Sequence, residues 1–436
     1  MSEEAPIIEG TRKTLQQLSK DTDRTFRLVL KGGAQDLKVY QIPVKYLYFN
    51  IENGRYADRM IRLKAESRGV VIDLRSQYWR KMVREMLLGK GRLGEERDKI
   101  AATRLEDDLQ AKKAQLTPGV VAGDGGVLDG NRRLAVLQDL GWEHFDGMFL
   151  PPDTSAEDKW RIEAGLQLGK QLVHEYSPVN QLLKIREGLK LFREMKQSGR
   201  DPAPKKTAEE LVAEALYGVD SGEITESIGR IELMENYLEF IGKAGRYDLI
   251  GERSERFKEA LKIVEGAKNQ GWKPQMLGKL KAWIFQNILE ENLQNWDLRE
   301  IYKAIGGNPT KRGRKMASLP KSEKLLKDRL PDPKTVRDAC RVVADANEKN
   351  EEAKLPPSLK SAADASKDLA EDVLQSVGNE AKTNQPVRLL SEARAKLEKV
   401  LGSTGNWKKG KQQQDARKEL LAIRNIVDNL LTRAAK

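Results

Sequence analysis

The chain is poor in sulfur and in histidine. Of its 436 residues one is cysteine, Cys340, and two are histidine, His144 and His174. A lone cysteine excludes an internal disulfide, and one cysteine with two histidines is too few for a Cys/His zinc site. Long apolar runs are also missing. None approaches the roughly 20 residues that a membrane-spanning helix needs, so no membrane partner is expected. The first residues, Met1 to Glu9, are acidic and lack the apolar core of a secretory signal, which points to the cytoplasm. Acidic residues are outnumbered: 66 Asp and Glu face 78 Lys and Arg, a net charge of +12. Such an excess favours a polyanionic partner, with nucleic acid first among the classes. At this length two or more domains are expected. With 33% charged and 39% apolar residues, the composition fits a largely helical protein.

What is present is concentrated between Gly119 and Gly141. Two short apolar runs, Val120-Val121 and Val127-Leu128, flank Gly123-Asp124-Gly125-Gly126, a hairpin signal. The second run leads directly into Asp129-Gly130-Asn131-Arg132-Arg133, and then into an apolar helical face at Leu134, Leu137 and Leu140. Glycine at a strand-to-helix junction admits close backbone approach, and free amides at a helix start favour an anion. Arginine is disfavoured at a helix N-terminus by the dipole, so two in succession call for a compensating anion or for solvent. Their planar forks suit phosphate. The stretch therefore reads as a phosphate-binding corner.

These residues resemble the Gly-Glu-Arg-Arg-type phosphate loop of ParB-like proteins, whose fold is shared with sulfiredoxin. Two more segments match in order. A strand-like run from Val39 to Leu47 precedes Asn50-Ile51-Glu52-Asn53-Gly54-Arg55, similar to the family's Asn-Pro-Arg box. Downstream, His174-Glu175-Tyr176-Ser177-Pro178-Val179-Asn180-Gln181 is similar to the family's Leu-(Asn/Ser)-Pro-(Ile/Val)-Glu segment. The resemblance spans about residues 37–240. It implies an α+β ParB/sulfiredoxin-like N-terminal domain followed by a mainly helical remainder. It also implies a nucleoside triphosphate, CTP or ATP, on Asn53, Arg55, Asp129, Gly130, Asn131, Arg132 and Arg133, and DNA as partner. In the family CTP switches a dimer between open and closed clamps. The family's Mg²⁺-binding Glu-Asn pair falls here on Gly169-Lys170, which cannot hold a metal, leaving Glu163, Gln167 or Asp129 as substitutes. A long charged insertion, helical over Tyr78–Leu88 and Arg97–Ala114, departs from the family. Sulfiredoxin chemistry needs a cysteine in the phosphate loop and is excluded.

The remaining pattern sets the expected domains: a polar arm over 1–36, partly helical around Thr14 to Leu18; the nucleotide-binding domain over 37–160; and helical domains over 161–250 and 251–341. A linker or loosely packed helices over 342–386 and a basic helical hairpin over 387–436 complete the chain. Ser177 with Pro178 starts one helix, and Thr207 with Glu210 forms a capping box. A short helix to Leu216, a glycine turn and a helix from Glu223 to Ile241 resemble a helix-turn-helix. There Ile224, Ile228, Ile231 and Met234 face the core, while Thr225, Ser227 and Arg230 face a groove. Trp272, Trp283 and Trp296 are expected as core anchors.

Residues 380–436 hold 13 Lys and Arg against 6 Asp and Glu, over half of the net charge. With the knot Lys311-Arg312-Gly313-Arg314-Lys315 and the loop residues Lys408, Lys409 and Lys411, they are the expected DNA contacts. The heptad-like stripe Leu420, Ile423, Val427, Leu430 favours a homodimer through the hairpin. Three function classes follow: a nucleotide-switched DNA-binding protein of partition, mobile-element maintenance or regulation; a metal-dependent ParB-like nuclease or NTPase; and a helical interaction scaffold.

Overall fold

In the computed structural model the described residues are 12–30, 33–50, 53–67, 71–73, 76–168, 177–199, 203, 205–216, 219–308, 316–402 and 411–434. The N-terminal part is a mixed sheet with helices. Its elements run α1 (Arg12–Gln17), β1 (Lys20–Leu30), β2 (Gly33–Pro43), β3 (Tyr48–Phe49), α2 (Ala57–Glu66), α3 (Gln77–Leu87) and α4 (Glu96–Lys112), then β4 (Gly119–Val121), β5 (Gly126–Asp129), α5 (Asn131–Asp139) and β6 (His144–Phe149). The strand order is β1-β2-β6-β4-β5-β3. Strand β6 pairs antiparallel with β2, Val39 opposite Met148, and parallel with β4, Val120 opposite Met148. Strands β4 and β5 form the hairpin expected around Gly123–Gly126, and β3 joins β5 in parallel.

Of the arm expected over 1–36, α1 is the helical part, and Lys20–Leu30 with the start of β2 belongs to the sheet. β1 pairs with β2 along most of its length, from Lys20 opposite Gln41 to Leu30 opposite Gly33. Its sequence hides this because it is an edge strand with a mostly solvated surface, so it needs few apolar side chains. The central strands are apolar on every residue that the core requires: Val121, Val127, Phe145 and Phe149 are buried, with Leu134, Val136 and Leu137 of α5 packed against them. α3 inserts Val83, Met86 and Leu87 into the same core. Each fully buried side chain of this size contributes roughly 1.5–3 kcal/mol.

The remainder is helical: α6 (Ala156–Leu168), α7 (Pro178–Gln197), α8 (Ala208–Ala215), α9 (Ser221–Phe240), α10 (Ser254–Asn269), α11 (Pro274–Leu289), α12 (Asn295–Ile305), α13 (Pro320–Arg329), α14 (Pro333–Lys349), α15 (Pro357–Gly402) and α16 (Lys411–Ala434). α6 is the seam, with Ile162 against the sheet and Trp160 and Ala164 against α7 and α8. Gly188 of α7 makes this possible, since a Cβ there would sit 2.1 Å from the Trp160 ring.

One apolar cluster then runs from Val179 of α7 to Val377 of α15. The segment 342–386 is therefore no linker. Its polar composition reflects helices buried along one stripe only, through Ala344, Leu369, Ala370, Val373 and Val377. Trp272 and Trp283 are buried as expected, but Trp296 is 66% exposed, the second residue of α12 on the face away from Leu298 and Ile301. The two arms expected at the C-terminus are both helical. The first arm is the end of the long helix α15, which continues through Pro386, and α16 leaves Leu420, Val427 and Leu430 exposed. Among the described residues no helix is long and apolar enough to cross a membrane.

Candidate anion-binding site

β5 ends at Asp129 and α5 starts at Asn131, with Gly130 between them at φ +97°. L-residues pay about 1–2 kcal/mol in that region, and a Cβ on Gly130 would approach Phe145 Cζ to 3.0 Å. Gly130 is also the N-cap of α5 and offers no side-chain acceptor to the first amides, so the positive end of the dipole is left open.

Arg132 and Arg133 leave this first turn in different directions. Arg132 is buried and its Nη2 donates to Asp98 Oδ1 of α4 at 2.5 Å. Asp98 also accepts from Arg59 Nη1 at 2.5 Å, through Oδ2. Asp98 therefore shares one buried carboxylate between two guanidiniums, and Nε of both Arg59 and Arg132 is buried without a hydrogen-bond partner. Arg133 reaches Thr117 O with Nη1 at 2.5 Å. Burial and the Arg55 guanidinium push Arg132 down to about 10 against the pull of Asp98. Burial, and again Arg55, hold Arg133 below the usual arginine value, with Asp129 acting in the opposite sense. Arg132 stays charged at neutral pH. Like charges gathered in one place lower each other's protonation, so the corner is a concentration of positive charge.

The asparagines have structural work. Asn131 Oδ1 accepts from Asn50 N at 3.0 Å and its Nδ2 donates to Val127 O at 2.8 Å. Asn53 is buried, with Oδ1 accepting from Arg55 N at 3.0 Å and Nδ2 donating to Leu128 O at 3.3 Å. Both fasten the 50–55 loop to the end of β5 instead of facing outward, and Ile51 and Glu52 of that loop lie outside the described residues. The expected Ser-Pro-Val-Asn segment closes the back of the same loop. Asn180 Nδ2 donates to Arg55 O at 2.8 Å, and its Oδ1 accepts from Asp58 N at 3.0 Å. His174, Glu175 and Tyr176 lie outside the described residues.

Asp98, Arg59 and Lys184 were not legible as site residues, because each sits in a helix whose charge pattern reads as ordinary. Of the expected metal substitutes, Glu163 is buried and already used: Oε1 accepts from Gly54 N at 2.7 Å and Oε2 from Lys184 Nζ at 2.9 Å. Burial disfavours the Lys184 ammonium, yet Glu163 and Glu187 more than reverse that and raise its pKa. An ammonium thus occupies the place beside Glu163, and the residues do not fit a divalent cation there. Among the described residues no three His, Cys, Asp or Glu come together as a metal-binding group.

The helix-turn-helix-like pair α8–α9 has its expected core face, with Ile224, Ile231 and Met234 buried. Thr225 is exposed and donates to Ser221 O at 3.1 Å; Ser227 is half-buried. Arg230 does not face a groove. Its Nε donates to Ser254 O at 3.1 Å and its Nη2 to Glu255 at 2.7 Å, bracing α9 against α10. The second half of α9 packs its apolar face into the helical core and leaves Glu232, Asn236 and Glu239 exposed. Lys311, Arg312, Arg314, Lys315, Lys408 and Lys409 lie outside the described residues, and Lys411 opens α16.

No family model matches the chain, and no curated protein matches it. A search of solved structures matches it to one described as the C2221 form of a Pnob8-like ParB-N domain, with TM-score 0.34 and 10% identity over 61% of this chain and 98% of that one. At that score the likeness is too distant to carry an argument about function. The order seen here, a mixed sheet with helices and then a mainly helical remainder, is the order expected from the sequence.

Proposed function

We propose that the chain is a ParB-like, nucleotide-responsive DNA-binding protein in which the α5 corner takes the phosphates of CTP or ATP. One observation carries this reading. Three arginines, 55, 132 and 133, depress or share charge around an uncapped helix N-terminus, and one of them keeps a buried Nε without a partner. That is an excess of positive potential with unused donors, which a polyphosphate would relieve. Arg132, Arg133 and the first amides of α5 would hold phosphate oxygens, with Arg55 on the opposite bank. Mg²⁺ does not fit the residues near Glu163, so the reading contains no metal step. The basic C-terminal region supplies the DNA contacts, and pairing of two chains there makes the binding unit.

Calorimetry with CTP, ATP, GTP and UTP tests the proposal. One or more should bind, and binding should survive EDTA. Arg132→Gln and Arg133→Gln should each weaken it by roughly tenfold to hundredfold, the range of a charge-assisted contact. Unchanged affinity in both variants would remove the site from this corner.

A further inference from the structure

A second concentration of positive charge lies on the same domain and shares no residue with the α5 corner. It is a cleft of about 1090 Å³ between the end of β2, the start of α3 and the approach to β6. Lys45, Arg80, Lys81 and Arg84 line it, with Glu143 as the carboxylate among the lining residues. Arg80, Lys81 and Arg84 follow one another at helical spacing on α3, Lys81 exposed and the two arginines half-buried, while its other side carries the buried Val83, Met86 and Leu87.

Many cations of this chain have acidic partners, as the Lys243, Arg246 and Lys206 ion pairs illustrate. In this cleft most do not. Among the described residues Lys45 and Arg84 have no acidic partner. Arg80 donates to the Leu47 carbonyl at 2.9 Å, and only Lys81 reaches a carboxylate, Glu85 at 3.9 Å. Leaving like charges adjacent and unneutralised raises the free energy of the fold unless something outside supplies the opposite charge. Two aromatic rings complete the cleft. Tyr46 and Trp142 are half-buried against the core and line its wall, with Lys45 Nζ 4.9 Å from the Tyr46 ring centroid.

We propose that this cleft binds a single strand of nucleic acid, with Lys45, Lys81 and Arg84 on its phosphates and Trp142 under a base. Cations together with two rings in a concave channel suit an unpaired strand, whose bases are free to stack. A duplex keeps its bases stacked inside, so it would use the cations and leave the rings idle. The α5 corner takes a terminal polyphosphate instead, so the two sites are separable.

The test is fluorescence anisotropy of the full chain with labelled oligothymidylate and oligouridylate of about 16 nucleotides, the upper end of what one such groove covers. A duplex of equal length and heparin serve as competitors. The Lys81→Glu/Arg84→Glu pair should lose at least about tenfold in affinity and flatten the salt dependence by about 1.4, the slope of two single-strand phosphate contacts. Trp142→Ala should lose roughly five- to hundredfold while Trp142→Phe retains most binding. A 5-iodouracil strand should cross-link to a peptide containing Tyr46 or Trp142. Nucleotide calorimetry should be unaltered in the Lys81/Arg84 pair, which keeps this result apart from that of the corner. Wild-type affinity in the Lys81/Arg84 pair, equal competition by duplex or heparin, or cross-links confined to the C-terminal region would each overturn the proposal.

Discussion

At the scale of single residues, Asp98 matters more than either arginine that it holds. Replacing it by alanine strands two buried guanidiniums, Arg59 and Arg132. Loss of one partner from a buried pair typically costs about 3–5 kcal/mol. Arg132→Ala should cost less, because Asp98 keeps Arg59 at 2.5 Å. Urea midpoints for the two variants decide the ranking, and equal loss would contradict it. A second residue-scale effect concerns acid. Hydrogen bonds from Lys243 and Arg246 lower Glu348 to about 2 from an ordinary 4.5. The unfolded chain then takes up this proton first as pH falls. The stabilisation is whole above about 4.5 and is lost as pH falls toward 2. Glu348 is partly exposed, so the effect is modest. Glu348→Gln should flatten the loss of stability over that interval, measured by denaturant titration at several pH values. An unchanged slope would show that another carboxylate governs it.

At the scale of elements, the junction between β5 and α5 depends on Gly130. Gly130→Ala should cost about 1–2 kcal/mol from the left-handed backbone. It should also weaken anion binding, since the first turn of α5 must shift away from Phe145. Thermal melts and calorimetry on one variant test both, and a neutral effect would mean that the turn relaxes freely. This element was legible because its signals are local: a glycine-rich hairpin, a strand of valines, a helix start. The same holds for Ser177, which accepts from Asn180 N at 3.2 Å, and for the Thr207–Glu210 capping box. What was not legible depends on distant partners. β1 is polar because only one edge pairs. The polar composition of 342–386 suggested a linker or loosely packed helices, yet α15 continues through Pro386 with a buried apolar stripe. Arg230 sat on a helix face that looked solvated until α10 covered it. At the site, the arginines and Gly130 could be found from the sequence, whereas Asp98 could not, because a helix of alternating charge does not mark which carboxylate is buried.

At the scale of the whole molecule, α16 leaves a question that its own chain does not answer. Leu420, Leu421, Ile426, Val427, Leu430 and Leu431 are all more than two-fifths exposed along one helix. Two such helices, one from each of two copies, would cover these side chains. Ile426→Glu with Leu430→Glu should convert a dimer to a monomer in light scattering without changing the melting of the sheet domain. A wild-type monomer would refute the pairing. The register of β2 has a further consequence, for the order of events during synthesis. Val39 finds its partner only when Met148 has been made, so the N-terminal sheet stays open while α2, α3 and α4 emerge. The helices from α7 onward wait longer still, because the core they share needs α15. The first-made strands therefore wait for α5 and β6 before their sheet can close. Until β6 arrives, the β1–β2 hairpin presents a bare edge, and a ribosome pausing before Phe149 would prolong the interval in which that edge can pair with another chain.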